Sequence, residues 1–188
     1  MNSNEFFEVF SDASSFNNGY KDPNKPMFAS CGVVITYNQK ILKKGSKFFD
    51  DKTISYGELK GSLLVLDLLQ KRILDNKKYN IEPPYNVKLY SDSQFVIKSI
   101  NEWMTKWLKN CKDWKTDVWY NSSGSVVGQY ELFREMKLKY LDNSDWNIEF
   151  IHVKGHTGKN DFISKMNDMC DHLATDITKA KIKELGLK

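Results

Sequence analysis

The chain is poor in cysteine, arginine and long apolar runs, and each shortage removes a class of explanation. Its three cysteines, Cys31, Cys111 and Cys170, are too few and too scattered for a disulfide framework, and no CxxC or Cys/His spacing suggests zinc. A reducing compartment follows as the expectation. Nothing approaches the roughly eighteen consecutive apolar residues of a membrane span, and the N-terminal MNSNEFFEVF lacks the basic segment and apolar run of a secretory leader. The expected location is intracellular, in the cytoplasm, with no membrane partner. Arginine occurs only at Arg72 and Arg134, so the formal net charge of +4 is carried almost wholly by lysine. A mildly basic chain is compatible with a polyanionic partner without requiring one.

What is present describes a protein with a core. With 40% apolar and 28% charged residues, the 188 residues read as one globular domain, 1–188, and are expected to act as a monomer. Residues 5–12 (EFFEVFSD) read as a strand ending in a turn-rich stretch that runs to Pro26. Further strands follow near 28–37 and 40–49, joined by a turn at Asn38–Gln39. Leu59, Leu63, Leu66 and Ile73 recur at helical intervals from Ser55 to about Asn76, and Ser55 with Glu58 has the spacing of a capping box. A strand over 86–91, a helix from Gln94 to about Trp107, a helix near 127–141, a strand over 146–153 and a helix marked by Met166, Cys170, Leu173 and Ile177 complete the chain. The order β-β-β-α-β-α-α-β-α implies an α/β fold, a mixed five-stranded sheet with an antiparallel meander, parallel strands and flanking helices.

Two strand ends share a pattern, Phe10-Ser11-Asp12-Ala13-Ser14 and Tyr90-Ser91-Asp92-Ser93-Gln94. If both strands are central and parallel, Asp12 and Asp92 sit side by side in the crevice where α/β sheets bind ligands. Like charges held close in a poorly solvated site share a proton or are neutralised by a cation. Glu58, early in the first long helix, and Asp171, one position round from core-facing Cys170, are placed to join them. Four convergent carboxylates suit oxygen-loving Mg²⁺ and the two-ion sites that move phosphoryl groups. Each acid also has a plain structural reading: Glu58 as the third residue of a capping box, Asp92 as a helix cap, Asp12 as a turn residue, Asp171 as part of a solvated helix face.

The segment from Ile151 to Gly158 (IHVKGHTG), followed by Asn167 to Ala174 (NDMCDHLA), resembles the C-terminal signature of type 1 ribonuclease H. With FSDAS at 10–14, GEL at 57–59 and SDSQ at 91–94, the match runs in order from residue 5 to about 178. The resemblance implies a ribonuclease H-like fold and a sequence-nonspecific endonuclease that hydrolyses the RNA strand of RNA–DNA hybrids, leaving 5′-phosphate and 3′-hydroxyl ends. It implies two Mg²⁺ ions, with Mn²⁺ tolerated, on Asp12, Glu58, Asp92 and Asp171. His156 aligns with the family's mobile active-site histidine. Primer removal and R-loop clearance would be the expected work.

Substrate contacts follow from the same resemblance. Gln94 matches a position that reaches the RNA minor groove, where the 2′-hydroxyl separates RNA from DNA, and Thr53 stands where a threonine contacts a DNA phosphate. The stretch containing Lys106, Lys109, Lys112, Trp114 and Lys115 resembles the family's basic protrusion; on its own terms it is equally a solvated helix face with Trp103 and Trp107 packed inward. Ala13 replaces a common glycine, Ile54-Ser55 replace asparagines that touch substrate, and the gap from His156 to Asp171 is longer than in many relatives. Two other classes remain open on the residues alone. One is a non-catalytic hybrid-binding module, against which the full carboxylate set argues, and the other a DNA-acting nuclease of the same architecture.

Overall fold

The computed structural model describes residues 6–75, 81–155 and 160–187. Five strands form one mixed sheet: β1 (Phe7–Phe16), β2 (Phe28–Tyr37), β3 (Lys40–Asp50), β4 (Tyr85–Ser91) and β5 (Trp146–His152), in the spatial order β3-β2-β1-β4-β5. β1 pairs antiparallel with β2 and β2 with β3, whereas β4 lies parallel to both β1 and β5. The meander closes where expected, Asn38 and Gln39 both taking the left-handed backbone (φ 49° and 58°) of a two-residue hairpin turn.

Period-two alternation on β1 divides the core. Phe7 and Val9 enter the larger apolar cluster with Leu59, Leu63, Leu66 and Leu69 of helix α1 (Ile54–Asp75), while Phe10 joins Val34, Tyr90, Met166 and Cys170 beneath helix α5 (Phe162–Glu184). The sheet is thus covered on both faces, which explains why β2 is buried over nearly its whole length. On α5 the buried line is Met166, Asn167, Cys170, Ala174 and Thr178, with Leu173 and Ile177 only half-buried. The side chain of Ile73, expected in the core, lies outside the described residues.

After β4, one helical run comprises α2 (Gln94–Lys98), a π turn (Ser99–Trp103) and α3 (Met104–Leu108). Then α4 (Tyr130–Met136) continues into a second π turn, Lys137–Leu141, and is tied to α1: Tyr140 donates to Asp67 (2.6 Å), and Lys139 bridges Asp67 and Glu135. Among the described residues no helix is long and apolar enough to cross a membrane.

Two boundaries differ from those read off the sequence. β1 does not end at Asp12 but runs on to Phe16, because Asp12 to Phe16 pair residue by residue with Gly32 to Phe28 of β2; ladder pairing overrides the weak strand propensity of Ala-Ser-Ser. The turn begins instead at Asn17, whose left-handed backbone (φ 52°) and side-chain amide, bonded to the carbonyls of Asp22 and Lys25, close the loop. Helix α1 starts one residue earlier than expected, with Thr53 rather than Ser55 as its cap: Thr53 Oγ1 accepts from the backbone N–H of Tyr56 at 3.3 Å.

Gly32 lets α5 seat on β2. A methyl group at Gly32 would stand 2.0 Å from the carbonyl oxygen of Cys170 and 2.8 Å from Leu173 Cβ, so Gly32→Ala is expected to destabilise the fold by about 1–3 kcal/mol through overpacking. Urea denaturation followed by circular dichroism measures it; an unchanged midpoint would show that α5 can slide away without penalty.

Candidate active site

Asp12 is a mid-strand residue, buried on β1, and its position is set by two ladders. The parallel pairing of Phe7 with Val87 through Phe10 with Tyr90 ends just below it. Continued by two residues, that register brings Asp12 level with Asp92, the first residue past β4. The Asp92 carboxyl stands close enough to bear on that of Asp12. Burial first, and the charge of Asp92 second, push the Asp12 carboxyl up to about 8, against a lowering contribution from the Ala13 N–H that donates to its Oδ1 at 2.7 Å.

The other two acids approach from the helices. Glu58 lies in the second turn of α1, because Thr53 is the cap; it is therefore no capping-box residue. Its carboxyl is raised by burial and by Asp92, while a hydrogen bond from the Ser93 hydroxyl acts the other way. Ser93 also caps α2, its Oγ accepting from Val96 N–H at 3.3 Å, so the cap is Ser93 and not Asp92. Asp171, half-buried on α5, contributes to the field that raises Asp12, and its Oδ1 accepts from the Thr175 hydroxyl at 3.3 Å. The plain structural readings of Glu58 and Asp92 thus fail on their caps, and that of Asp12 fails because it is strand, not turn.

Among the described residues, none of the four acids is held in an ion pair, and no three His, Cys, Asp or Glu side chains stand close enough together to hold a metal ion. The donor set is nonetheless of one kind, hard carboxylate oxygen in an uncompensated negative field, and that chemistry fits a hard divalent cation.

Several neighbours went unnoticed in the sequence. Gly155 packs its backbone against Asp92 so closely that a methyl group there would lie 2.4 Å from Asp92 Oδ2. His152, at the end of β5, brings Nε2 to 3.2 Å from the Asp92 carbonyl oxygen. Under α1, Ser11 Oγ and Ser62 Oγ share a hydrogen bond of 2.9 Å. The loop after β1 reaches the head of α1, where Asn18 Oδ1 accepts from Ile54 N–H (2.9 Å) and Tyr20 donates to Asp51. The repeated serines around both aspartates were the available signal for Ser11 and Ser93; the others are long-range contacts. His156 lies outside the described residues.

The remaining candidates divide. Gln94 is exposed as the first residue of α2, next but one to Asp92, and Thr53 is half-buried with its hydroxyl engaged in the α1 cap. The lysines do not form one helical stripe: α3 ends at Leu108, so only Lys106 is helical. Lys109, Lys112 and Lys115 sit on turns, braced where Lys112 and Asp113 N–H donate to Asp117 Oδ2 (2.7 and 2.9 Å). All four lysines are exposed, whereas Trp114 is half-buried with Lys137 Nζ 4.9 Å from its ring centre. Trp107 is core and Trp103 half-buried, and with Phe95, Lys106, Asn121 and Val126 they line a groove of about 360 Å³.

The family model described as RNase H matches residues 4–179. The chain is 31% identical to the ribonuclease H of Caldanaerobacter subterraneus subsp. tengcongensis over 97% of each protein. It is 30% identical to that of Clostridium botulinum (strain Hall), covering 89% of this chain and 92% of the relative. Among solved structures, the RNase H domain of prototype foamy virus aligns with a TM-score of 0.62 at 21% identity, over 94% of this chain and 96% of that one. LC11-RNase H1, solved in complex with an RNA/DNA hybrid, aligns with a TM-score of 0.55 at 15% identity, over 91% and 98%.

The raised carboxyls carry a pH prediction. A carboxyl whose native pKa exceeds its unfolded value, near 3.9, stabilises the fold at low pH and loses that contribution as pH rises through the native value. Without divalent cations, stability is therefore expected to fall between about pH 4 and 8, with Asp12 as the main contributor and Glu58 acting in the same sense. Asp12→Asn should flatten that slope and melt above the wild type at pH 8. Thermal melts in EDTA across this range measure it, and an unaltered slope in the variant counts against the raised Asp12 carboxyl.

Proposed function

The chain belongs to the RNase H family, and from that premise we propose that it is an endoribonuclease that hydrolyses the RNA strand of RNA–DNA hybrids without sequence preference, leaving 5′-phosphate and 3′-hydroxyl ends. The observation that carries the reading is the buried Asp12–Asp92 contact, in parallel register and with Glu58 and Asp171 bearing on it. A pure binding module gains nothing from concentrated negative charge facing phosphate.

Asp12, Glu58, Asp92 and Asp171 are the residues proposed to hold two divalent cations, Mg²⁺ with Mn²⁺ tolerated. Bound cations of this kind supply Lewis-acid stabilisation of phosphate charge and a water acidic enough to attack near neutral pH. The chain's own contribution is placement. Asp12 sits on a strand paired along its whole length with β2, which would fix its carboxylate as a ligand. Ser93 orients Glu58 and Thr175 orients Asp171, the supporting hydrogen bonds that fix ligand geometry. Gly155 packs on Asp92, and His156, the next residue, is the proposed proton-handling group, a role suited to an imidazole that titrates near neutrality.

Substrate recognition is proposed to divide by chemistry. Gln94 offers an amide beside the carboxylates to a 2′-hydroxyl. Lys106, Lys109, Lys112 and Lys115 offer ammonium groups to phosphates, giving affinity without sequence choice, and Trp114 gives the turn a rigid aromatic base. Thr53 can offer a phosphate only what its capping bond leaves over.

The test is cleavage of an end-labelled RNA strand in a hybrid, beside single-stranded RNA, duplex RNA and duplex DNA, with Mg²⁺ or EDTA. Metal-dependent cutting confined to the hybrid is expected. Asp92→Asn should lower it by at least about 10³-fold, since a lost ligand forfeits on the order of 4 kcal/mol of charge stabilisation. A wild type that binds hybrid but cuts nothing with Mg²⁺ or Mn²⁺ would leave only a binding module, and cutting of duplex DNA would reassign the substrate.

A further inference from the structure

The outermost strand, β3, carries Lys40, Lys43, Lys44 and Lys47 within eight residues and has no acidic residue before Asp50. All four are exposed, and among the described residues none of them is held in an ion pair. Lysine on an edge strand has an ordinary use, discouraging another chain from adding to the open ladder. Two observations go beyond that use.

The first is sign and density. Some lysines elsewhere meet carboxylates, as Lys60 meets Glu135, Lys137 meets Asp142 and Lys181 meets Glu184. Along β3 four ammonium groups occupy about 23 Å of strand, at about 3.3 Å per residue, with no carboxylate among them. Lys43 and Lys47 belong to one face of the sheet by strand parity and Lys44 to the other, so a ligand approaching the edge meets cations from both sides.

The second is register. Lys47 pairs with Cys31, and Cys31 with Ala13, so Lys47 stands level with the neighbour of Asp12, two strand spacings or about 10 Å away. The stripe then descends through Lys44, level with Phe10, and Lys43, level with Val9, to Lys40, level with Phe7. It therefore begins at the height of the carboxylates and leads away from them, along the edge opposite β4 and β5.

We propose that the β3 edge is a second nucleic-acid contact, a phosphate track that holds the part of a substrate lying beyond the segment at the carboxylates. A polyanionic backbone is drawn to a row of ammonium groups with no carboxylate among them. Ammonium groups bind phosphate without reading sequence, and the open edge leaves room for a rod wider than any groove in the fold. The inference rests on the reading of the chain as a nuclease acting on hybrids.

The experiment is binding, in EDTA, of a short hybrid of about 12 base pairs and a long one of about 40, across roughly 50–200 mM salt. Wild type is compared with a variant carrying Lys40→Gln, Lys43→Gln, Lys44→Gln and Lys47→Gln, and with one carrying arginine at the same positions. The long hybrid is expected to bind the glutamine variant about 10-fold more weakly near 0.1 M salt, with a salt slope shallower by about 3. The short hybrid, which reaches only the nearer lysines, should lose clearly less than the long one, and the arginine variant should match wild type on both. Pairwise changes, Lys40→Gln with Lys44→Gln and Lys43→Gln with Lys47→Gln, give intermediate losses and serve if the fourfold variant folds poorly.

Unchanged binding of the long hybrid overturns the proposal, and self-association of the glutamine variant would then assign the lysines to edge protection alone. Equal losses for both lengths also overturn it, placing these lysines in the cleft. A protein that loses only long-hybrid binding yet never cuts keeps the track and forfeits the catalytic reading. A protein that cuts normally with no length effect does the reverse.

Discussion

Two carboxyl groups that repel one another are held in contact at the middle of the sheet, and much of the surrounding architecture exists to keep them there. Asp12 cannot retreat, because its backbone is paired along the whole of β1 with β2 and up to Phe10 with β4. Asp92 cannot turn away freely, because Gly155 lies against its carboxylate and His152 reaches its carbonyl. An arrangement of this kind persists only if a proton or a cation offsets the repulsion.

The position of the acids was legible because the elements that carry them have strong signals. Helical spacing of Leu59, Leu63 and Leu66 located α1, and with it Glu58; the matching serine-flanked aspartates located the ends of a parallel pair. The ambiguity attached to each acid was one of capping, and capping is decided by a single residue's backbone. Thr53 in place of Ser55, and Ser93 in place of Asp92, are shifts of one or two positions that periodicity does not resolve. The extension of β1 past Asp12 was illegible for another reason: Ala13-Ser14-Ser15 is strand only because β2 pairs with it, and a partner 14 to 18 residues away leaves no local mark.

The basic region shows the opposite pattern, correct residues arranged differently from their spacing. Lys106, Lys109, Lys112 and Lys115 recur every three residues, which suggests one helical face, but the helix stops at Leu108. Asp113 and Asp117 use their carboxylates to satisfy backbone N–H groups of the following turn. The lysines are therefore spread over a braced turn rather than aligned on a rod, beside the half-buried Trp114. The inward packing of Trp103 and Trp107 was readable from their separation of four, since residues so spaced share a helix face.

Helix α1 meets the sheet partly through glycine. Methyl groups at Gly57 and Gly61, one turn apart, would lie 3.2 Å from Ala13 Cβ and 3.0 Å from Cys31 Cβ. Each distance is tight without being prohibitive, so a small side chain at either position requires its neighbour to give by a few tenths of an ångström. Glu58 lies between these two contacts in the sequence. A substitution at Gly57 or Gly61 can therefore leave the melting temperature nearly untouched while carrying a carboxylate off its mark, and a chain that passes every test of folding can still be badly aligned as a catalyst. In this part of the molecule tolerance to mutation, judged by stability, is a poor guide to tolerance judged by work done.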